Sequence, residues 1–169
     1  MKNIVKTLVF VTVALFSFNL QAQDKFGHID SSEILALMPE TKNAEQAIQN
    51  YAVELENQLK AMYSEYETKL AEYTDGEKLM TDVVKQSKIT NLEDLQLRIN
   101  QFQQNSQNDL QKRRNDALKP ILEKAQNAVN EVAQENGYTY IFDISTGTVV
   151  FKTDANDITA LVKAKLGVQ

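Results

Sequence analysis

The chain has 169 residues, 43% hydrophobic and 24% charged, with five Gly, two Pro, no Cys and no Trp. That composition belongs to an ordered chain, neither collagen-like nor predominantly disordered. Without cysteine there is no disulfide framework, thiolate zinc site, iron–sulfur cluster, cysteine nucleophile or lipid-modified N-terminal Cys, and the single histidine, His28, excludes any site built on two imidazole ligands.

At the N-terminus, Lys2 and Lys6 precede an apolar run from Leu8 to Phe18, and Asn19-Leu20-Gln21-Ala22 ends on a small residue. The pattern is that of a secretory signal peptide, residues 1–22, cleaved after Ala22. Even if extended to Leu20, the apolar run falls short of the roughly 20 residues that span a bilayer, so no stable membrane insertion is expected. The mature chain from Gln23 then carries a net charge of −7. An acidic, exported chain is a poor match for nucleic acid, whose phosphates select basic surfaces.

Downstream, Phe26-Gly27-His28-Ile29-Asp30 reads as a short strand, and Ser31-Ser32-Glu33 opens a short helix through Met38. Pro39 and Pro120 then bracket a long stretch with a single glycine. Within it Ile48, Tyr51, Leu55, Leu59, Met62, Tyr66, Leu70 and Tyr73 recur at gaps of three and four, which is helical spacing in an eleven-residue repeat. A second seam follows at Leu92, Leu95, Ile99, Phe102, Ser106, Leu110, Arg113, Ala117 and Ile121. Asp75-Gly76 and the polar stretch to Asn91 lie between the two and predict a reversal near residues 75–90. Charge supports pairing of the arms: residues 40–77 carry a net −6 and residues 78–119 a net +3. At roughly 1.5 Å per residue, each arm is about 55 to 60 Å long.

The segment from Gln96 to Gln111, nine of whose sixteen residues are Gln or Asn, reads as a solvated helical face, as does the basic cluster Lys112-Arg113-Arg114. After Pro120 the helical pattern resumes, so this proline either kinks a continuing helix or begins a new one, and Asn136-Gly137 ends it. Residues 138–144 and 148–151 flank Ser145-Thr146-Gly147, a β-hairpin signal. Asp157 is expected to cap a final helix, residues 158–166, ended by Gly167. The fold class is therefore α+β and mostly helical: a helical hairpin, residues 40–119, attached to a small β-containing body, residues 23–39 and 120–169. A body this small has a marginal core and no disulfide or evident metal, so oligomerisation is the remaining staple.

Those residues carry a resemblance. The Asp24 to Asp30 start, the long antiparallel excursion, the Ala128-Val129-Asn-Glu-Val132-Ala133 helix leading into hydrophobic strands that end at Asp143, and above all Asn156-Asp157-Ile158-Thr159 resemble the Skp/OmpH family of periplasmic chaperones across the mature chain. The resemblance implies a homotrimer whose bodies join through their strands, with Phe26, Ile29, Tyr140, Phe142, Ile144, Val149 and Phe151 as candidates for the trimerisation core. It implies three hairpins around a cavity that holds unfolded outer-membrane β-barrel proteins without ATP or any other cofactor. Tyr51, Met62, Tyr63, Tyr66 and Tyr73 on the first arm are the candidates for diffuse client contact. Well-known family members are basic, whereas this mature chain is acidic, so a lipopolysaccharide or membrane-surface contact is not carried over.

A structural spacer or adaptor of the envelope, binding one folded partner, fits the same periodicity. An enzyme does not. His28 is placed as a structural strand residue, and the acidic pairs Glu54/Glu56 and Glu65/Glu67 are two apart on a helix and diverge.

Overall fold

The computed structural model describes residues 24–168, so the expected signal peptide lies outside the described residues. In chain order the elements are β1 (Phe26–Ile29), α1 (Ser31–Leu37), α2 (Pro39–Gly76), a 3-10 turn (Glu77–Leu79), α3 (Asp82–Asn136), β2 (Tyr140–Asp143), a second 3-10 turn (Asp154–Asn156) and α4 (Thr159–Leu166). No helix among the described residues is long and apolar enough to cross a membrane.

Two compact units divide this chain. One joins the residues through Ser32 to Ala128–Gly167, and the other is Glu33–Asn127. The hairpin unit thus includes most of α1 and the part of α3 from Pro120 to Asn127.

In the hairpin unit, α2 starts with Pro39 in its first turn, where the missing N–H costs nothing. It then runs 38 residues to Gly76. The reversal occupies residues 77–81, inside the expected interval and narrower than it. Thr81 Oγ1 accepts the Val84 N–H at 3.4 Å and its carbonyl accepts the Lys85 N–H at 3.0 Å, so α3 is capped and already helical through the polar stretch before Asn91. Four side-chain ties join the arms: Glu40 with Lys124, Tyr51 with Asp109, Tyr63 with Gln103, and Glu72 with Lys88. Their sequence separations fall from 84 through 58 and 40 to 16. That progression is the register of an antiparallel pair. The burial is lopsided, since α2 has no buried residue while Leu92, Leu95 and Ile99 of α3 are buried. Two helices alone cover one stripe each, and the flanks of both stay wet.

Helix α3 runs unbroken through Pro120 to Asn136, which resolves the alternative left open by the sequence in favour of a continuing helix. Gly137, at φ 68°, ends it, and the Tyr138 N–H closes back on the Ala133 carbonyl at 2.9 Å.

The sheet unit is built on β1 and β2, which run parallel in the register Phe26–Tyr140, Gly27–Ile141, His28–Phe142 and Ile29–Asp143. On the other edge of β1, the Ile158 N–H donates to the His28 carbonyl at 2.9 Å. Ile29, Ala128, Val129, Val132, Ile158 and Val162 form the core of this unit. Asp157 Oδ1 accepts the Thr159 N–H at 2.9 Å, but α4 begins one residue later than expected, at Thr159, so Ile158 rather than Asp157 takes the N-cap place; Gly167, at φ 72°, closes the helix.

The expected β-hairpin is corrected. Its turn forms, with the Gly147 N–H on the Ile144 carbonyl at 3.1 Å, but residues 148–151 make no strand and β2 pairs with β1 instead. The reason is coverage. Val150 and Phe151 stand almost fully exposed, and a ladder with neither face covered gains too little burial to order its backbone.

Asp143 links sequence to local structure in a way the pattern did not announce. Its carboxylate accepts the Ser31 N–H at 3.2 Å, the Ser31 hydroxyl at 2.5 Å and the Ser145 N–H at 3.0 Å, capping α1 from the end of β2. Partial burial pushes its pKa up, but the hydrogen bonds from Ser31 and Ser145 outweigh this and hold it below the usual carboxylate range. A carboxyl depressed in the folded state contributes stability that is complete above its unfolded pKa of about 3.9 and is lost as pH falls through the folded value. Asp143→Asn is therefore expected to lower the urea midpoint at neutral pH and to flatten its decline between about pH 5 and pH 3. An unchanged slope would assign the acid sensitivity elsewhere.

Candidate functional surfaces

Strand alternation puts Phe26, Tyr140 and Phe142 on one face of the two-stranded sheet. Their rings stack, with centroids 5.8 Å apart for Phe26–Tyr140 and 6.3 Å for Phe26–Phe142. All three are open to solvent, at 45%, 58% and 48% exposure, and Phe151 is at 82%. Together the three rings form a solvent-open aromatic patch on this unit. Of the other residues expected in a trimerisation core, Ile29 points into its own unit and is buried, while Ile144 and Val149 are half-buried. A cavity of about 290 Å³ opens on the same face, lined by Phe26, His28, Phe142, Val149 and Phe151, with Lys152 among its polar residues.

His28 is buried, as a structural strand residue should be. Its Nε2 has no hydrogen bond and lies 3.5 Å from Asp157 Oδ2, which Lys152 also approaches at 3.7 Å. Burial raises the Asp157 pKa, but hydrogen bonds from Thr159 and the charges of His28 and Lys152 bring it below the ordinary value. Among the described residues no hydroxyl nucleophile is hydrogen-bonded to this imidazole, as a triad would require. Among the described residues no cluster of His, Asp and Glu is arranged to hold a metal ion.

On the hairpin, Tyr51, Met62, Tyr66 and Tyr73 are half-buried along the seam and Tyr63 is more open. Tyr51 is tied down. Its hydroxyl donates to Asp109 Oδ2 at 2.5 Å, and Arg113 lies over its ring at 3.8 Å while bonding Asp109 at 3.2 Å. The bond to Asp109 raises the Tyr51 pKa, and those from Tyr51 and then Arg113 lower that of Asp109. Tyr63 accepts a hydrogen bond from Gln103 at 3.1 Å. The sequence reading missed this Tyr51–Asp109–Arg113 network, although a signal was present: an arginine occupies a seam position with an aspartate four residues before it. The basic cluster also divides, because Lys112 pairs with Asp116 at 2.5 Å, Arg113 with Asp109, and Arg114 with no side chain among the described residues.

Known proteins resemble this chain in fold and in sequence. A crystal structure from Caulobacter crescentus, assigned as an outer membrane chaperone (OmpH-like), superposes with a TM-score of 0.75 over 86% of this chain and 85% of that one, at 14% identity. The chaperone protein Skp of Photorhabdus luminescens is 26% identical over 168 residues, spanning 96% of this chain and 97% of that protein. The profile of the outer membrane protein (OmpH-like) family matches residues 25–166. That match runs from β1 to the last residue of α4, and it places the chain in the OmpH-like outer membrane protein family, the family of the Skp chaperone.

Proposed function

We propose that this protein is an exported, ATP-independent holdase that works in the periplasm as a homotrimer, keeping unfolded outer-membrane β-barrel proteins from aggregating between its three arms. The observation that carries the reading is the stacked, solvent-open trio Phe26, Tyr140 and Phe142 on a sheet of two strands. A two-stranded sheet is marginal by itself, and the outer edge of β2 offers unpaired backbone groups beside those rings. Closing three copies around that face supplies the missing sheet and core. Family membership and the long hairpin support the second half of the reading, since three paired arms surround a volume. Tyr63, with Met62, Tyr66 and Tyr73 along the seam, offers weak contacts, and three arms raise the effective concentration for each next contact.

The test dilutes a urea-unfolded outer-membrane barrel into ATP-free buffer with and without the exported protein and follows light scattering. Scattering is expected to be suppressed at about one trimer per client. Unchanged scattering with the protein folded would overturn the holdase in favour of an envelope adaptor, and the binding of folded barrels alone would do the same.

A further inference from the structure

The apolar seam makes the two arms pair, but it does not fix how far along each other they sit. On α2 its residues recur every three or four places and repeat every eleven, with Ile48, Leu59 and Leu70 in one row and Tyr51, Met62 and Tyr73 in another. The seam of α3 has the same gaps of three and four from Leu92 to Ile121. Sliding one arm by a single turn, about 5.4 Å, therefore sets seam residue against seam residue again. Packing is shallow on the α2 side, where no residue is buried, so a slip forfeits little burial. Three of the four ties between the arms are weak guides to register. Tyr63 accepts from Gln103, whose neighbours one turn away, Asn100 and Gln107, carry the same amide. Glu40 with Lys124 and Glu72 with Lys88 are surface ion pairs, which contribute little.

The Tyr51–Asp109–Arg113 cluster differs, because each member needs the other two in one place. Asp109 Oδ2 accepts both the Tyr51 hydroxyl at 2.5 Å and the Arg113 Nε–H at 3.2 Å, while the guanidinium lies 3.8 Å over the Tyr51 ring. Asp109 and Arg113 are four apart on α3 and move together; Tyr51 stands on α2. After a slip of one turn, Arg113 meets Ile48 or Leu55, which have neither ring nor hydroxyl, and the next tyrosine of the α2 seam, Tyr66, is fifteen residues on.

We propose that this cluster is a register lock, a polar clasp in an otherwise slippable apolar seam. It admits one alignment of the arms, which keeps the reversal at residues 77–81 and gives every copy an arm of the same length. A polar side chain at a seam position is a known means of specifying register in coiled coils, at a cost in stability. Replacing a buried charged cluster by apolar residues is often neutral or stabilising, and this cluster is more open than a buried one. Its contribution is therefore to alignment rather than to strength, with the cation–π contact between Arg113 and Tyr51 adding a geometric requirement that a bare ion pair lacks.

A chain without cysteine accepts spin labels at chosen sites. Glu56→Cys and Asn91→Cys, exposed on α2 and α3, carry them in the exported full-length protein, refolded with excess unlabelled chain so that each measured pair lies within one copy. Double electron–electron resonance is expected to give one distance with the cluster intact. With Tyr51→Phe, Asp109→Leu and Arg113→Leu together, helical content and the urea midpoint are expected to hold while a second distance appears, displaced by about 5 Å, one helical turn. The exchange of Tyr51→Leu with Leu55→Tyr moves the tyrosine four places towards the reversal. The whole population is then expected to move to a distance longer by about 5 Å, as α2 slides to return the ring to Asp109 and Arg113. A single unshifted distance in both variants would overturn the lock and assign the register to the reversal itself. If the apolar variant loses its helical signal, the exchange alone decides: a distance that follows the tyrosine upholds the lock, and an unmoved one overturns it.

Discussion

Phe26→Asp combined with Phe142→Asp is expected to reduce the proposed three-chain particle to single chains in sedimentation equilibrium, with helical content retained. Both rings are about half exposed in the single chain, so the exchange costs its own fold little. In the proposed trimer the same positions are covered. Burying an aromatic ring is worth about 1.5–3 kcal/mol, and an unpaired carboxylate in its place costs several kcal/mol more. With a tenfold change in affinity for each 1.4 kcal/mol, each interface weakens by at least about two to three orders of magnitude. Tyr140→Phe keeps the ring and should leave the mass unchanged. A Phe26→Asp/Phe142→Asp protein with wild-type mass would show that the chains assemble elsewhere or that the aromatic patch serves another partner.

Ile99→Ala is expected to be among the most damaging single truncations in the hairpin, lowering stability by about 2–5 kcal/mol, as fully buried Ile or Leu to Ala exchanges do. Ile99 is at 0% exposure, whereas Leu97, two residues away on the same helix, is at 56%. Leu97→Ala should then fall within about 0.5 kcal/mol of wild type. Urea melts of the helical signal, compared at one protein concentration because assembly adds to apparent stability, separate the two. Similar losses at both positions would mean that the arm is covered on a face that the single chain leaves open.

Much of this architecture is legible in the sequence. Gaps of three and four over two long stretches describe helices whatever surrounds them, because the period belongs to the backbone. Each seam position from Leu92 to Ile121 except Arg113 is at least half-buried. The stops were equally local, since Gly137 and Gly167 take the left-handed conformation that a helix end requires and that glycine adopts without penalty.

Other features depended on long-range partners. The returning segment 148–151 had strand composition, yet β2 paired with β1 across more than a hundred residues, because strand pairing is settled by whichever edge is also covered. The cap of α1 came from Asp143, 112 residues away, rather than from the serines at its own start. Periodicity assigned Tyr51 and Arg113 to the seam as if each were simply apolar or solvated, and only the register of the two arms brought them together over Asp109. The sequence by itself determined what repeats along one helix: the two arms, the place of their reversal, the glycine stops and the segment that folds between strands. The tertiary structure alone decided what depends on the distance between residues far apart in the chain: the parallel sheet, the solvent-open aromatic stack and the Tyr51–Asp109–Arg113 network. A single-chain pattern encodes the direction of each side chain relative to its own element, and only packing supplies what lies in that direction.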